Sequence, residues 1–355
     1  MSVSALPASL PRTMRAVVKA TAAPGAELRQ VDVPVPGPRD VLVKVQATTV
    51  CGTDLHIYDW DAWAQDRTRP PLIAGHEFSG EVVAVGSEVD NLAPGDRVAA
   101  ETHVVCGSCR ACREGQAHVC RRTVILGVDT SGSYAEYVRL PATNGIKVPD
   151  AVDPVVASLL EPFGNAVHTV LAGPVAGRTV LVMGCGPIGI MACAVAAAAG
   201  AAAVFAVDIN PYRLEFARRM GATHVIDSTG EDPVAAIRRA TGGEGADVVC
   251  EMSGHPVAIR QAFEALAYAG RFSMLGLPSK PVELDLANAI VFKGATVQGI
   301  AGRRMYETWS QAMGLVTSGR VDLAQLVTHR LPLDAFDEAM SLMRSGACGK
   351  VALLP

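Results

Sequence analysis

The stretch "TVLVMGCGPIG", Thr179–Gly189, constrains the fold more than any other part of this 355-residue chain. An apolar run reads as a buried strand, a glycine cluster forces a tight turn, and an alanine-rich run then opens a helix. Further apolar runs follow in "AVFAVD", "THVIDS", "DVVCEM" and "RFSMLG", each succeeded by helix-like or loop sequence. Strands alternating with helices in this way predict a parallel sheet with helices on both faces. In that setting the glycines have separate tasks. Gly184 permits the turn, Gly186 lets the backbone approach a pyrophosphate, and Gly189 lets the helix pack close on the strand, with Pro187 and Ile188 at the helix start. The free N–H groups and dipole of that helix stabilise phosphate charge. Asp208 closes the next strand, where a carboxylate binds ribose hydroxyls and repels a 2′-phosphate, so NAD is expected over NADP. Arg213, close by, weakens the strictness of that preference. A plain glycine turn in another α/β fold is the weaker reading.

Val180–Val207 carries no charge and has the length of a bilayer span. Its leucine, isoleucine and phenylalanine content is low and its glycines cluster early, so strand, turn and helix explain it better. The opening "MSVSALPASLPRT" lacks the apolar core of a secretory signal, and residues 1–13 are expected to form a flexible tail. Nine cysteines without such a signal point to a reducing compartment, a cytoplasmic chain, and metal sites or free thiols. Half the residues are hydrophobic, the net charge is −4, and no basic block is present. Disorder is excluded by this composition, and nucleic acid and membrane are not expected partners.

Before the alternating region, short β-like runs such as "DVLVKVQA" and "GEVVAVG" are broken by the turns "PVPGPRD" and "APGDRV". Beyond about Gly299 the pattern is mixed, and the closing "GKVALLP" reads as a strand that pairs back onto the first domain. The expected domains are therefore 14–160 together with 300–355, and 161–299.

Cys106, Cys109, Cys112 and Cys120 form a C-x2-C-x2-C-x7-C array. Four thiolates at this spacing make a closed tetrahedral zinc site, which fixes a loop and leaves no position for chemistry. Free thiols so close together would be a redox liability, and the spacing matches no common iron–sulfur pattern. A second set of candidate ligands is dispersed: Cys51 in "CGTDLHIYDWDAW", His76 and Glu77 in "GHE", and Glu161 in "EPFGNAVHT". Thiolate, imidazole and carboxylate make a catalytic zinc site if they converge. Taken singly, each also reads as an ordinary buried thiol, turn histidine or helix-start carboxylate. Cys185, Cys193, Cys250 and Cys348 read as packing residues. Oxidation of Cys185, inside the glycine loop, would impair cofactor binding.

Together, "GHEFSGEVVAVG", "GDRV", the four-cysteine loop, "GCGPIG" and the closing "GKV" carry a likeness. From about Met14 onward the chain resembles the zinc-dependent medium-chain dehydrogenases. The resemblance implies an α/β protein with a GroES-like, mostly-β catalytic domain plus a Rossmann domain built on a doubly wound parallel sheet, assembled as a dimer or tetramer. It implies two zinc ions per chain, the catalytic one on Cys51, His76 and Glu161, with Glu77 beside it as an alternating ligand. Zinc would then acidify a substrate hydroxyl, Thr53 would accept the departing proton and pass it towards His56, and NAD would take the hydride. The stretches "HIYDWDAW", "EPFGNAVHT", "EMSG" and "FKGATVQGIAGRRMYETW" are similar to members that oxidise the 3-hydroxyl of L-threonine to 2-amino-3-oxobutanoate. By the same resemblance His103 lies near the substrate; Arg303 is a candidate partner for the substrate carboxylate. Trp60 and Trp63 wall the pocket or pack in the core, packing being the stronger reading for Trp63. The chain departs from its relatives at Ala301, where "GIAGR" replaces "GIYGR". A pocket opened there would admit another 3-hydroxy amino acid or a vicinal diol. The alternatives are a dehydrogenase of a polyol, 2,3-butanediol or other secondary alcohol, and a catalytically silent nucleotide-binding member. Retention of Cys51, Thr53, His56, His76 and Glu161 argues against the silent one.

Overall fold

The computed structural model describes residues 6–355. The chain divides into two units, Met1–Glu161 with Val327–Pro355, and Pro162–Leu326.

The first unit is mostly β. Its larger sheet runs Gly145–Lys147, Arg97–Ala100, Glu77–Val85, Asp40–Thr49, Lys350–Leu354 and Val327–Pro332, with Tyr137–Pro141 also on Asp40–Thr49. Asp40–Thr49, "DVLVKVQATT", is central because most of its residues are apolar or small and seven of its ten are buried. Val41, Val43, Phe78, Val82 and Leu140 form one core cluster around it. The closing strand pairs antiparallel with it, Ala352 opposite Thr49, as the terminal "GKVALLP" predicts. A smaller sheet holds Glu27–Asp32, Thr13–Lys19 and Leu72–Ile73, and His103–Val104 pairs with Val124–Ile125.

Residues 1–5 of the expected tail lie outside the described residues. The rest of that segment is anchored at two points: Leu6 and Leu10 are partly buried against the cluster of Met14, Val18, Val33 and Tyr137 while residues 7–9 and 11–13 are exposed, and Thr13 opens the first strand. Two leucines covering apolar side chains are the physical reason it is held.

In the second unit all six strands are parallel. Across the sheet they run His224–Asp227, Ala203–Asp208, Thr179–Met183, Ala246–Glu251, Leu266–Met274 and Thr296–Gly299, the order 3-2-1-4-5-6 of a doubly wound fold. The first four connecting helices, Pro187–Ala198, Pro211–Arg219, Pro233–Ala240 and Pro256–Ala265, each open on a proline. Proline has its φ preset there, and the N–H it lacks would have gone unused. Asn210 and Asp232 cap the second and third by accepting from Tyr212 and Val234 N–H. Pro187–Ala198 is buried from Gly189 to Ala196, which explains its membrane-like composition: a helix apolar all round sits inside a protein. Among the described residues no helix is long and apolar enough to cross a membrane.

The chain rejoins the first unit at Val327, later than residue 300. Buried side chains keep the intervening segment in the second unit. Trp309, on helix Glu307–Thr317, is buried, and so is Arg303, whose aliphatic stem lies where a side chain on Gly164 would be.

Candidate active site

Strand pairing brings the dispersed ligands together. Thr49 lies opposite Glu77, so Asp40–Thr49 delivers Cys51 just beyond its end while Glu77–Val85 begins with a candidate ligand. Gly75 has φ +91°, and a Cβ there would stand 2.7 Å from the Tyr134 ring, so only glycine makes this turn into His76. The donor atoms of Cys51, His76 and Glu77 lie within 4.8 Å of one another. Glu161, at the start of helix Leu160–Val170, stands outside that group and accepts from Thr102 Oγ1 at 3.1 Å. It is close enough for its charge to act on His76. Cys51 Sγ is 3.8 Å from Thr53 Oγ1.

Four residues that sequence reasoning missed support these ligands. Asp54 is buried, accepts from Cys51 N–H at 2.8 Å and from Tyr134 Oη at 2.6 Å, and faces His76 Nδ1 at 3.6 Å. At that distance Asp54 acts on the imidazole through its charge, beyond hydrogen-bond reach. Buried Lys350 donates to Glu77 Oε2 and, at 3.1 Å, to Val50 O. Thr49 Oγ1 also donates to Glu77 Oε2, at 2.5 Å. The spacing Cys51-x-x-Asp54 is a helix-start signal that could have marked Asp54. Nothing in the sequence links Lys350 or Tyr134 to the site.

The donor set fits a cation. Glu77 Oε1 is buried with no hydrogen-bond partner. Burial disfavours a charged His76, yet Asp54, Cys51 and Glu161 outweigh it and hold its pKa well above the ordinary value. An imidazole, a thiol and carboxylates converging in a buried place are what zinc accepts.

The cysteine loop fits a second ion. All four thiols are free, with Sγ separations of 3.4 Å for Cys106–Cys120, 3.5 Å for Cys109–Cys112, 3.8 Å for Cys109–Cys120 and 4.0 Å for Cys106–Cys112. Sulfurs about 2.3 Å from a tetrahedral zinc stand roughly 3.8 Å apart. The Ser108 N–H, followed by that of Cys109, overcomes desolvation and pulls the Cys106 thiol down to about 5, towards the thiolate a metal requires.

The remaining candidates lie as follows. His56 is half-exposed, its Nδ1 2.6 Å from Asp61 Oδ2, and Trp63 lies beside it with ring centroids 5.9 Å apart. Trp63 is exposed, contrary to the packing reading. His103 is half-buried, its Nδ1 3.9 Å from Glu101 Oε1. Arg303 is buried and donates to Asn165 Oδ1 at 3.3 Å.

In the second unit Gly184 has φ +97°, and a Cβ on Gly189 would stand 1.9 Å from Gly184 O, so the helix rests directly on the loop. A Cβ on Gly186 would meet nothing within 4 Å, leaving open space where a pyrophosphate needs it. Pro187 and Ile188 open the helix. Asp208 Oδ2 accepts from Cys185 N–H at 2.6 Å and Oδ1 from Asn210 N–H at 2.9 Å, and each oxygen keeps a lone pair for a ribose hydroxyl. Gly184, Gly186, Asp208, Ile209, Arg213 and Ser253 line a cavity of about 460 Å³ at the carboxyl ends of the strands. Cys185 is fully buried, and desolvation pushes its thiol well above the ordinary range. Such a thiol is inert, which removes the ground for a redox effect there.

Two family models match the chain: the alcohol dehydrogenase GroES-like domain over residues 37–150 and the zinc-binding dehydrogenase domain over residues 187–318. It is 55% identical to the L-threonine 3-dehydrogenase of Bacillus velezensis, covering 96% of this chain and 99% of that one. Among solved structures it is similar to a zinc-binding dehydrogenase of Sinorhizobium meliloti bound to NADP, with TM-score 0.90, 31% identity, and 97% and 99% of the two chains covered. It is also similar to 2R,3R-butanediol dehydrogenase from Bacillus subtilis, with TM-score 0.88, 31% identity, and 96% and 99% covered. With a matching fold, a matching ligand set and identity over almost its whole length, the chain belongs to the zinc-dependent medium-chain dehydrogenases, the family of L-threonine 3-dehydrogenase.

Proposed function

We propose that this enzyme oxidises the 3-hydroxyl of L-threonine to 2-amino-3-oxobutanoate with NAD as hydride acceptor. The observation that carries the reading is the 55% identity to an L-threonine 3-dehydrogenase over 96% of the chain. Cys51 and His76, with Glu77 and Glu161 as carboxylate ligands, would hold a catalytic zinc, and Cys106, Cys109, Cys112 and Cys120 a structural one. Bound at the first site, zinc supplies the Lewis acidity that lowers the pKa of the substrate hydroxyl. Thr53 Oγ1 takes the proton and His56 receives it. These two residues are three apart on helix Gly52–Asp59, a spacing that puts them on one face. His103 and Arg303 are assigned to the amino acid's polar groups. Gly184, Gly186 and the start of helix Pro187–Ala198 bind the pyrophosphate of NAD, and Asp208 binds its ribose. Arg213, lining the same cavity, leaves room for some use of NADP. The edge strand Thr296–Gly299, with exposed Val297, and the exposed Val291 and Phe292 before it, support a homo-oligomer. Light scattering reads its size.

The test is NADH formation with L-threonine, 2,3-butanediol and sorbitol at matched concentrations, repeated with NADP, beside metal analysis. L-Threonine with NAD should lead in kcat/KM, at two zinc ions per chain. A lead for the diol would transfer the assignment to a secondary-alcohol dehydrogenase and make Ala301 the first residue to restore to tyrosine.

A further inference from the structure

We propose that Asp61 is a positioning residue for His56, fixing which ring nitrogen carries the proton and which takes one up. The inference rests on the relay role assigned to His56 above.

Asp61 caps helix Ala62–Arg67, and its two oxygens are divided between two partners. Oδ1 accepts from Ala64 N–H at 3.0 Å, while Oδ2 lies 2.6 Å from His56 Nδ1. An ionised carboxylate only accepts, so the proton between them belongs to Nδ1, and Nε2 keeps the lone pair that a relay needs. Because Asp61 is itself fixed by the cap, it holds the imidazole at a set angle.

The turn that returns Asp61 to His56 is an unusual one. Trp60 ends helix Gly52–Asp59 with φ +57°, a conformation uncommon for a bulky residue. Its N–H and that of Asp61 both donate to His56 O. Gln65 Nε2 donates to Trp60 O at 2.8 Å. Lys19 stands 5.1 Å from the Trp60 ring centroid and donates to Tyr58 O at 3.2 Å. The other charged groups around this helix are engaged elsewhere. Asp59 pairs with Arg344 of helix Phe336–Ser345, Asp337 of that helix accepts from Tyr58 Oη, and Asp54 accepts from Tyr134 and Cys51. Asp61 is the carboxylate bonded to the imidazole.

Asp61→Asn and Asp61→Ser test this, because asparagine and serine are equally good helix caps and preserve the fold. Both should lower the plateau of kcat/KM for L-threonine by about tenfold or more. Melting temperature should be unchanged, Asp61→Glu should recover part of the rate, and ¹⁵N NMR of His56 should show the Nδ1–H form giving way to a tautomer mixture in Asp61→Ser. If both variants keep the wild-type plateau and Asp61→Ser keeps the Nδ1–H form while His56→Ala slows the enzyme, the positioning role is overturned and the relay stands. Loss of rate with a lowered melting temperature and an unchanged Nδ1–H form would make Asp61 merely structural, and also overturns it. If His56→Ala leaves the rate unchanged, the relay falls and this inference with it.

Discussion

Lys350 and Glu77 are 273 residues apart in sequence, yet they form one buried ion pair. Glu77 is a carboxylate at a site that also holds a thiol and a second carboxylate, and the lysine offsets part of that negative charge. Removing one partner of a buried pair leaves the other uncompensated, which costs about 3–5 kcal/mol. Lys350→Met should therefore lower stability by that order in urea unfolding, and an unchanged midpoint would contradict the pairing. This residue shows where sequence reading stops. Cys51, His76, Glu77 and Glu161 are recognisable by chemical type and motif, and the four cysteines by spacing. Lys350, Tyr134 and the link from Asp54 to His76 depend on which strand ends meet, and no local pattern encodes that.

Elements are more legible than single contacts, because four of the six strands of the second unit are short apolar runs followed by a turn and a proline-led helix. The helix Pro187–Ala198 depends on Gly189 for its approach to the loop. Gly189→Ala puts a methyl 1.9 Å from Gly184 O, so loop and helix must separate. NADH affinity should fall about tenfold or more, near 1.4 kcal/mol, by fluorescence titration. Wild-type affinity would contradict that account of the loop. In the first unit, helix Ala62–Arg67 is tied down by Arg67, which donates to Asp129 at 2.6 and 2.7 Å, while Ile125 N–H donates to the same carboxylate at 2.8 Å. Burial pushes the Asp129 carboxyl up, but Arg67 and Ile125 N–H outweigh it and hold it below the ordinary range. A carboxyl with a depressed folded pKa stabilises the fold above its unfolded value of about 3.9, and loses that contribution as pH falls through the folded value. Asp129→Asn should thus cost about 0.5–1 kcal/mol at neutral pH, modest because Arg67 is partly exposed. The gap from wild type should close in acid. A gap that stays constant from pH 7 to about pH 3 would contradict the sign.

At the scale of the whole molecule, the pattern of alternation revealed two domains, while the second crossing between them was misplaced. Mixed sequence after Gly299 looks like a return to the β-rich unit, whereas buried Trp309 and Arg303 hold it in the parallel-sheet unit as far as Leu326. Burial of that kind depends on partners distant in sequence, which periodicity does not report. The proposed chemistry is divided between the units in the same way: the candidate zinc ligands, Thr53 and His56 belong to one, and the candidate nucleotide loop and Asp208 to the other. In the proposed reaction the carbon bearing the threonine hydroxyl gives its hydride to NAD. The direct measurement is the mass of the NADH formed from L-threonine deuterated at carbon 3. NADH should be heavier by one deuterium, and none should form after zinc is removed. Unlabelled NADH, or equal turnover without zinc, would contradict it.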